Sequence, residues 1–131
     1  MTAIVGLKQL LAGLKPQLMA DEWVFCTVTQ PLALFLTLEP LATFLEPEGL
    51  TLVLKKTTAD QAGLAYSGSF KQITLTVHSS LDAVGLTAAV AAKLTEKGIS
   101  ANVMAAYYHD HIFVPTSKAT AALAALNELT V

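Results

Sequence analysis

The segment Asp82-Ala-Val-Gly85-Leu86 sets an acid and a glycine three positions apart, where a β-like stretch gives way to a helical one. Backbone amides at a helix N-terminus are unpaired, and the helix dipole adds to them, so the place favours anions. A ligand carboxylate fits there, with Asp82 positioned to accept a hydrogen bond from a ligand ammonium. Gly85 has no Cβ and so admits a ligand or a neighbouring strand, at a cost of ~1 kcal/mol against Ala in a helix. The same residues also support a ligand-free assignment. In it, Asp82 or Ser80 caps the helix and Gly85 only relieves packing. The residues alone leave both open.

Further candidates flank this loop. Ser79 and Ser80 precede it and His78 ends the strand before it, so all three can line the same mouth. Asn102 begins a later strand expected near the loop, where its amide suits a carboxylate or simply a strand edge. Tyr107-Tyr-His-Asp-His111 contains ligand types suited to zinc or another transition metal, with His78 as the third ligand. Neighbouring side chains diverge at a hairpin turn, however, so turn structure or a dimer contact is the better account. Cys26 lies in an apolar strand pattern without an activating base nearby. No G-x-S-x-G, P-loop, G-x-G-x-x-G or H-E-x-x-H occurs. No enzyme, cofactor or metal is therefore expected.

These candidates depend on the elements that carry them. Gln72–Val77 alternates polar and apolar residues, which predicts a half-buried strand. Leu86, Val90 and Leu94 make a helical stripe that Gly98 closes. Ile99–Tyr107 and His111–Val114 are expected to pair across a turn near His109-Asp110. Pro115-Thr-Ser117 opens a last helix, and Leu129–Val131 is a candidate closing strand. The order is βαββα, extended to βαββαβ if that strand forms. The first half gives a worn version of the same order. After a helix over 3–14 that Pro16 ends, a strand spans Trp23–Val28, and residues 31–38 are ambiguous. A hairpin then turns at Glu46-Pro-Glu-Gly49, and a short helix over Thr57–Ala62 ends at Gly63. Tyr66–Ser69 is the best linker.

Composition narrows the classes. The 131 residues include no Arg and carry a net charge of −2, so nucleic acid is an unfavoured partner. The longest uncharged run, Trp23–Leu38, is shorter than the ~20 residues of a membrane span, and Gln30-Pro31 interrupts it. The opening residues lack the pattern of a signal peptide. The chain is 53% hydrophobic and only 14% charged. That surplus fits an oligomer interface or an alanine-rich core equally well. A lone cysteine places the chain in the cytoplasm by default.

The stretch VHSSLDAVGLTAAVAAKLTEKGISANV resembles the core of ACT domains, small ferredoxin-like modules that bind amino acids and regulate metabolic enzymes. Asp82, Gly85, Leu86, Gly98 and Ile99 fill that pattern. With VFCTV, EGLTLVL and YYHDHIFVP, the whole chain resembles bacterial proteins built of two tandem ACT domains, related to the ACT modules of the vertebrate arginine sensor. The resemblance implies an α+β fold of two tandem ferredoxin-like βαββαβ units, with antiparallel sheets and helices on one face. The implied domains are residues 1–66, degenerate, and residues 67–131. Two departures stand out. Val84 occupies the position where many ACT domains have Pro. Asp60-Gln-Ala-Gly63-Leu64 repeats the D-x-x-G-L spacing but closes a helix, so the first half lacks an equivalent loop.

The expected function is binding of a small amino acid, or a related metabolite with amino and carboxylate groups. The ligand would shift whichever association state it binds more tightly, in a homodimer or other homo-oligomer. His78, Ser79, Ser80, Asp82, Val84, Gly85, Leu86 and Asn102 form the expected site. Asp82 would take the ammonium, and amides near Val84–Leu86 the carboxylate. No enzyme domain accompanies the two units, so any regulated partner is expected in another chain. The alternative is a ligand-free interaction module that dimerises through its sheets.

Overall fold

A computed structural model describes residues 6–130. They form two compact units. One is residues 21–70; the other combines the chain's opening, through Ala20, with everything from Lys71 onward. The two halves therefore do not separate at a single point in the chain.

In the 21–70 unit, strand β1 (Pro16–Val28) enters from Asp21 onward. A 3-10 helix at Leu32–Leu38 follows, which resolves the ambiguous 31–38 segment. Then come β2 (Ala42–Glu46), β3 (Gly49–Lys55) and helix α2 (Lys56–Ala62). The strand order is β2-β3-β1, all antiparallel. Val24, Cys26 and Val28 lie opposite Leu54, Leu52 and Leu50. Strand side chains alternate between faces, so these six share one face. With Ala59 they make the buried core, against which Phe35, Leu38, Leu64 and Tyr66 pack. The hairpin turns at Pro47-Glu48 as expected. Strand β1 is longer than its Trp23–Val28 signal, since Pro16 both stops a helix and suits the first position of a strand.

The other unit opens on helix α1 (Leu7–Ala12). The first residues of the expected 3–14 helix, Ile4 among them, lie outside the described residues. After the start of β1 come β4 (Phe70–Leu75), α3 (Leu86–Glu96), β5 (Asn102–Ala105), β6 (Asp110–Pro115) and α4 (Ala119–Asn127). The strand order is β1-β4-β6-β5. Leu10, Leu14, Ile73, Leu75, Leu94, Ile112, Val114 and Leu126 are fully buried between strands and helices, alongside Val90 of the α3 stripe.

Three expectations are revised here. Residues 128–130 form a 3-10 turn instead of a closing strand, and Val131 lies outside the described residues. The position beside β4 is taken by the start of β1, where Lys71 Nζ donates to the Ala20 carbonyl at 2.8 Å and Thr76 Oγ1 to that of Lys15 at 2.9 Å. Strand β4 is buried on both faces, not one. Gln72 and Thr74 are enclosed and reach His111 Nδ1, each at 3.0 Å, which satisfies polar atoms that burial would otherwise penalise. The β5–β6 hairpin turns at Tyr107-Tyr108, not at His109-Asp110. Asp110 already pairs with Ala105, and Ala106 N–H bonds to the His109 carbonyl at 3.0 Å.

Candidate functional site

The loop from Val77 to Gly85 carries β4 into α3. Gly85 occupies the N-cap with φ 96° and ψ −16°, a region only glycine adopts readily. A Cβ there would also press on Leu7 Cδ2 at 3.2 Å. Glycine is thus required by the backbone itself, and the helix begins after it, with Ala89 N–H bonding to the Gly85 carbonyl at 2.9 Å.

The question of capping is decided by the hydrogen bonds. No side chain caps α3. Ser80 Oγ instead accepts from the Asp82 amide at 3.1 Å, within the loop. The Ala83 amide bonds to the Ser80 carbonyl at 3.0 Å, which completes a local turn. The amides of the first helical turn, from Leu86 to Ala88, are left without a side-chain partner.

Beside them opens a cavity of ≈ 400 Å³, within the size range of small-molecule sites. Of the eight residues expected from sequence, Ser79, Ser80, Val84, Gly85 and Leu86 line it. Ser79 is buried, while Val84 is 81% exposed and stands at the rim. Asp82, His78 and Asn102 are not among the lining residues. Asp82 is exposed on the turn. The His78 ring packs at 5.2 Å against Tyr108, tilted by 52°, and its Nδ1 is buried with no hydrogen-bond partner among the described residues. Asn102 Nδ2 donates to the Phe113 carbonyl across the hairpin at 3.4 Å.

One lining residue carries a charge that the loop alone did not suggest. Asp110, at the head of β6, lines the cavity and is only 8% exposed. Burial holds its carboxyl above the usual carboxylate range, against the opposing pull of His111 and His109. Those two imidazoles are committed elsewhere. His109 Nδ1 donates to the Val77 carbonyl at 3.2 Å. Burial also depresses the His111 pKa, which suits a neutral ring whose Nδ1 accepts from Gln72. Among the described residues no three His, Cys, Asp or Glu side chains are grouped to hold a metal ion. Burial pushes the Cys26 thiol up, away from reactivity.

The 21–70 unit has a different concavity, ≈ 470 Å³, lined in part by Glu39, Lys55, Thr58 and Gln61. The start of α2 borders it, also without a side-chain cap but with no glycine at the N-cap. α2 follows β3 directly, with Lys55 at its N-cap.

Two βαββα units, one with a left-handed glycine opening a helix beside a small-molecule-sized cavity, define a tandem ferredoxin-like protein. The chain belongs to the ACT-domain family: one ACT domain model matches residues 2–71 and a second matches residues 69–128. A crystal structure of a Vibrio cholerae protein of unknown function, described as a possible transport protein, is 61% identical. It covers 95% of this chain and 96% of that one, with a TM-score of 0.89. The ligand-free regulatory subunit of aspartate kinase from Thermus thermophilus shares the fold at 12% identity and TM-score 0.64, over 92% of this chain and 99% of that one. Aspartate kinase from Clostridium acetobutylicum does so at 6% identity and TM-score 0.71, over 85% of this chain and 33% of the enzyme. No curated protein matches the sequence. No helix among the described residues is long and apolar enough to cross a membrane.

Proposed function

We propose that this protein is a non-catalytic regulatory or sensor module that binds a small amino acid, or a related metabolite with amino and carboxylate groups, at the β4–α3 loop. The observation that carries the reading is the uncapped start of α3 beside a ≈ 400 Å³ cavity. Free amides at a helix start favour a carboxylate, and the left-handed Gly85 holds them open to it. The likeness to aspartate kinase regulatory subunits supports a regulatory role in the cytoplasm. The readout is linkage: the ligand favours whichever homo-oligomeric state it binds more tightly. A thermal-shift screen against the common amino acids tests it, because a ligand specific to the native state raises the melting temperature. No shift at millimolar concentrations would leave the function without support.

A second reading is a ligand-free module that pairs with another copy of itself. It is favoured by the outer strand β2, where Phe44 and Leu45 are 70% and 81% exposed, near the end of the 21–70 sheet order. Exposed apolar side chains on an edge strand mark a pairing surface. Concentration-dependent sedimentation that is insensitive to every amino acid would select this reading.

A further inference from the structure

The structure assigns the ammonium of the bound molecule to Asp110, not Asp82, and points to an amino acid with an uncharged side chain as the ligand class. This inference rests on the amino-acid reading above and names its chemistry.

Asp110 is enclosed and lines the cavity. Among the described residues its carboxylate makes no hydrogen bond or ion pair. Buried carboxylates are expensive unless paired, so an unpaired one facing a ligand-sized opening is a group awaiting a cation. The register supplies the reason it stands there. Ala105 and Asp110 are the last partners before the turn of the hairpin, and both line the cavity along with the start of α3. One wall therefore offers helix amides to an anion, and the other offers a carboxylate to a cation. A zwitterion satisfies both. A simple carboxylate would meet the amides but add its charge to that of Asp110.

The rest of the lining sets the side chain. Ser79, Ser80 and Thr87 are neutral and polar, and Leu81, Val84 and Ala88 are apolar. No Lys lines the cavity, so an acidic ligand side chain has nothing to neutralise it. A basic one would compete with the α-ammonium for the single carboxylate. Uncharged side chains, aliphatic or hydroxylated, meet neither penalty. Asp82 lies exposed on the turn, where water weakens any ion pair it makes.

The test is calorimetry and thermal shift on the full chain with L-serine, L-valine and L-leucine, beside L-aspartate, L-lysine and isovalerate, which is valine without its amino group. The expected result is that a neutral amino acid binds and isovalerate does not. Asp110→Asn then weakens binding on the order of 10- to 100-fold, as expected for loss of a charge-assisted bond, while Asp82→Asn leaves it within about twofold. If isovalerate bound as well as valine, or if Asp82→Asn caused the loss instead, the assignment would be overturned while the amino-acid site stood. Tightest binding of aspartate or lysine would overturn the ligand class. If none of the panel bound the wild type, the functional reading would fail together with this inference. The isovalerate comparison needs no variant, so it remains decisive even if Asp110→Asn folds poorly.

Discussion

Residues 60–64 and 82–86 share the spacing D-x-x-G-L, and the structure uses them for opposite purposes. Gly63, at φ 70°, ends α2, with Leu64 N–H returning to the Ala59 carbonyl at 3.0 Å and Leu64 packed on the core. Gly98-Ile99 ends α3 in the same way, with Ile99 N–H on the Leu94 carbonyl at 2.9 Å. This is the common glycine-terminated helix end. Gly85, at φ 96°, begins a helix instead. The two acids diverge accordingly. Asp60 is tied at 2.6 Å to the Tyr66 hydroxyl and at 3.3 Å to Lys56. Asp82 is exposed and its carboxylate has no such partner among the described residues, and the charge at the cavity comes from Asp110. A glycine that closes a helix satisfies carbonyls. One that opens a helix leaves amides for something else. The 21–70 unit has no such glycine: α2 follows β3 without a loop, with Lys55 at its N-cap.

The two units should first prove alike where they pack alike. Leu52 and Leu94 are both fully buried. Leu52→Ala and Leu94→Ala should each cost about 2–5 kcal/mol in urea denaturation. A cost below about 1 kcal/mol at either would mean that one cluster is loosely packed.

The glycines should then separate the units. Gly85→Ala meets both left-handed strain and the Leu7 side chain, and should cost about 2 kcal/mol. Gly63→Ala meets strain alone, with open space around its Cβ, and should cost about 1 kcal/mol. Equal losses would remove the distinction drawn between a helix start and a helix end.

The same distinction was only partly legible in the sequence. The helix stripes were readable, because Leu86, Val90 and Leu94 repeat at helical spacing and Gly98 punctuates them. The Pro47-Glu48 turn was readable for the same local reason. Asp110 was not, because it lies 25 residues beyond Gly85 and reaches the cavity only through the pairing of β6 with its neighbours. Its one local signal, an acid between two histidines, suggested a turn or a metal. The expected His78 and Asn102 failed to reach the cavity lining because each is directed to its own hairpin or ring partner. The role of residues 16–20 beside β4 was hidden because their partner strand is some 50 positions away, and Pro16 reads equally as a stop.

Acid titration should distinguish the carboxylates more gently. Asp110 is held above its ordinary value of 3.8 by burial, so the folded state binds its proton more tightly than the unfolded state does. Its contribution therefore favours folding below the ordinary value and is lost as pH rises from there through the raised value. Asp110→Asn should accordingly raise the ligand-free melting temperature at pH 7. Asp60 is held low, first by Tyr66, so its sign is opposite. Its contribution is present above the ordinary value and lost as pH falls, and Asp60→Asn should lower the melting temperature slightly. Matching shifts from the two variants would show that the carboxylates are not differently placed.

The smallest effects belong to the surface. Lys93 and Lys97 bridge to Glu128 at 3.4 Å each, and Lys56 to Asp60 at 3.3 Å. Lys97→Ala and Lys56→Ala should each change stability by less than about 1 kcal/mol, with the effect fading in high salt.

The most direct measurement is an amide-resolved NMR titration of the full chain with L-valine and L-serine. The account predicts saturable shifts at the Gly85, Leu86, Thr87 and Ala88 amides, with the Asp110 carboxyl responding, and no comparable change around Glu39, Lys55 and Gln61. Shifts confined to the 21–70 unit, or no saturable shift anywhere, would contradict it.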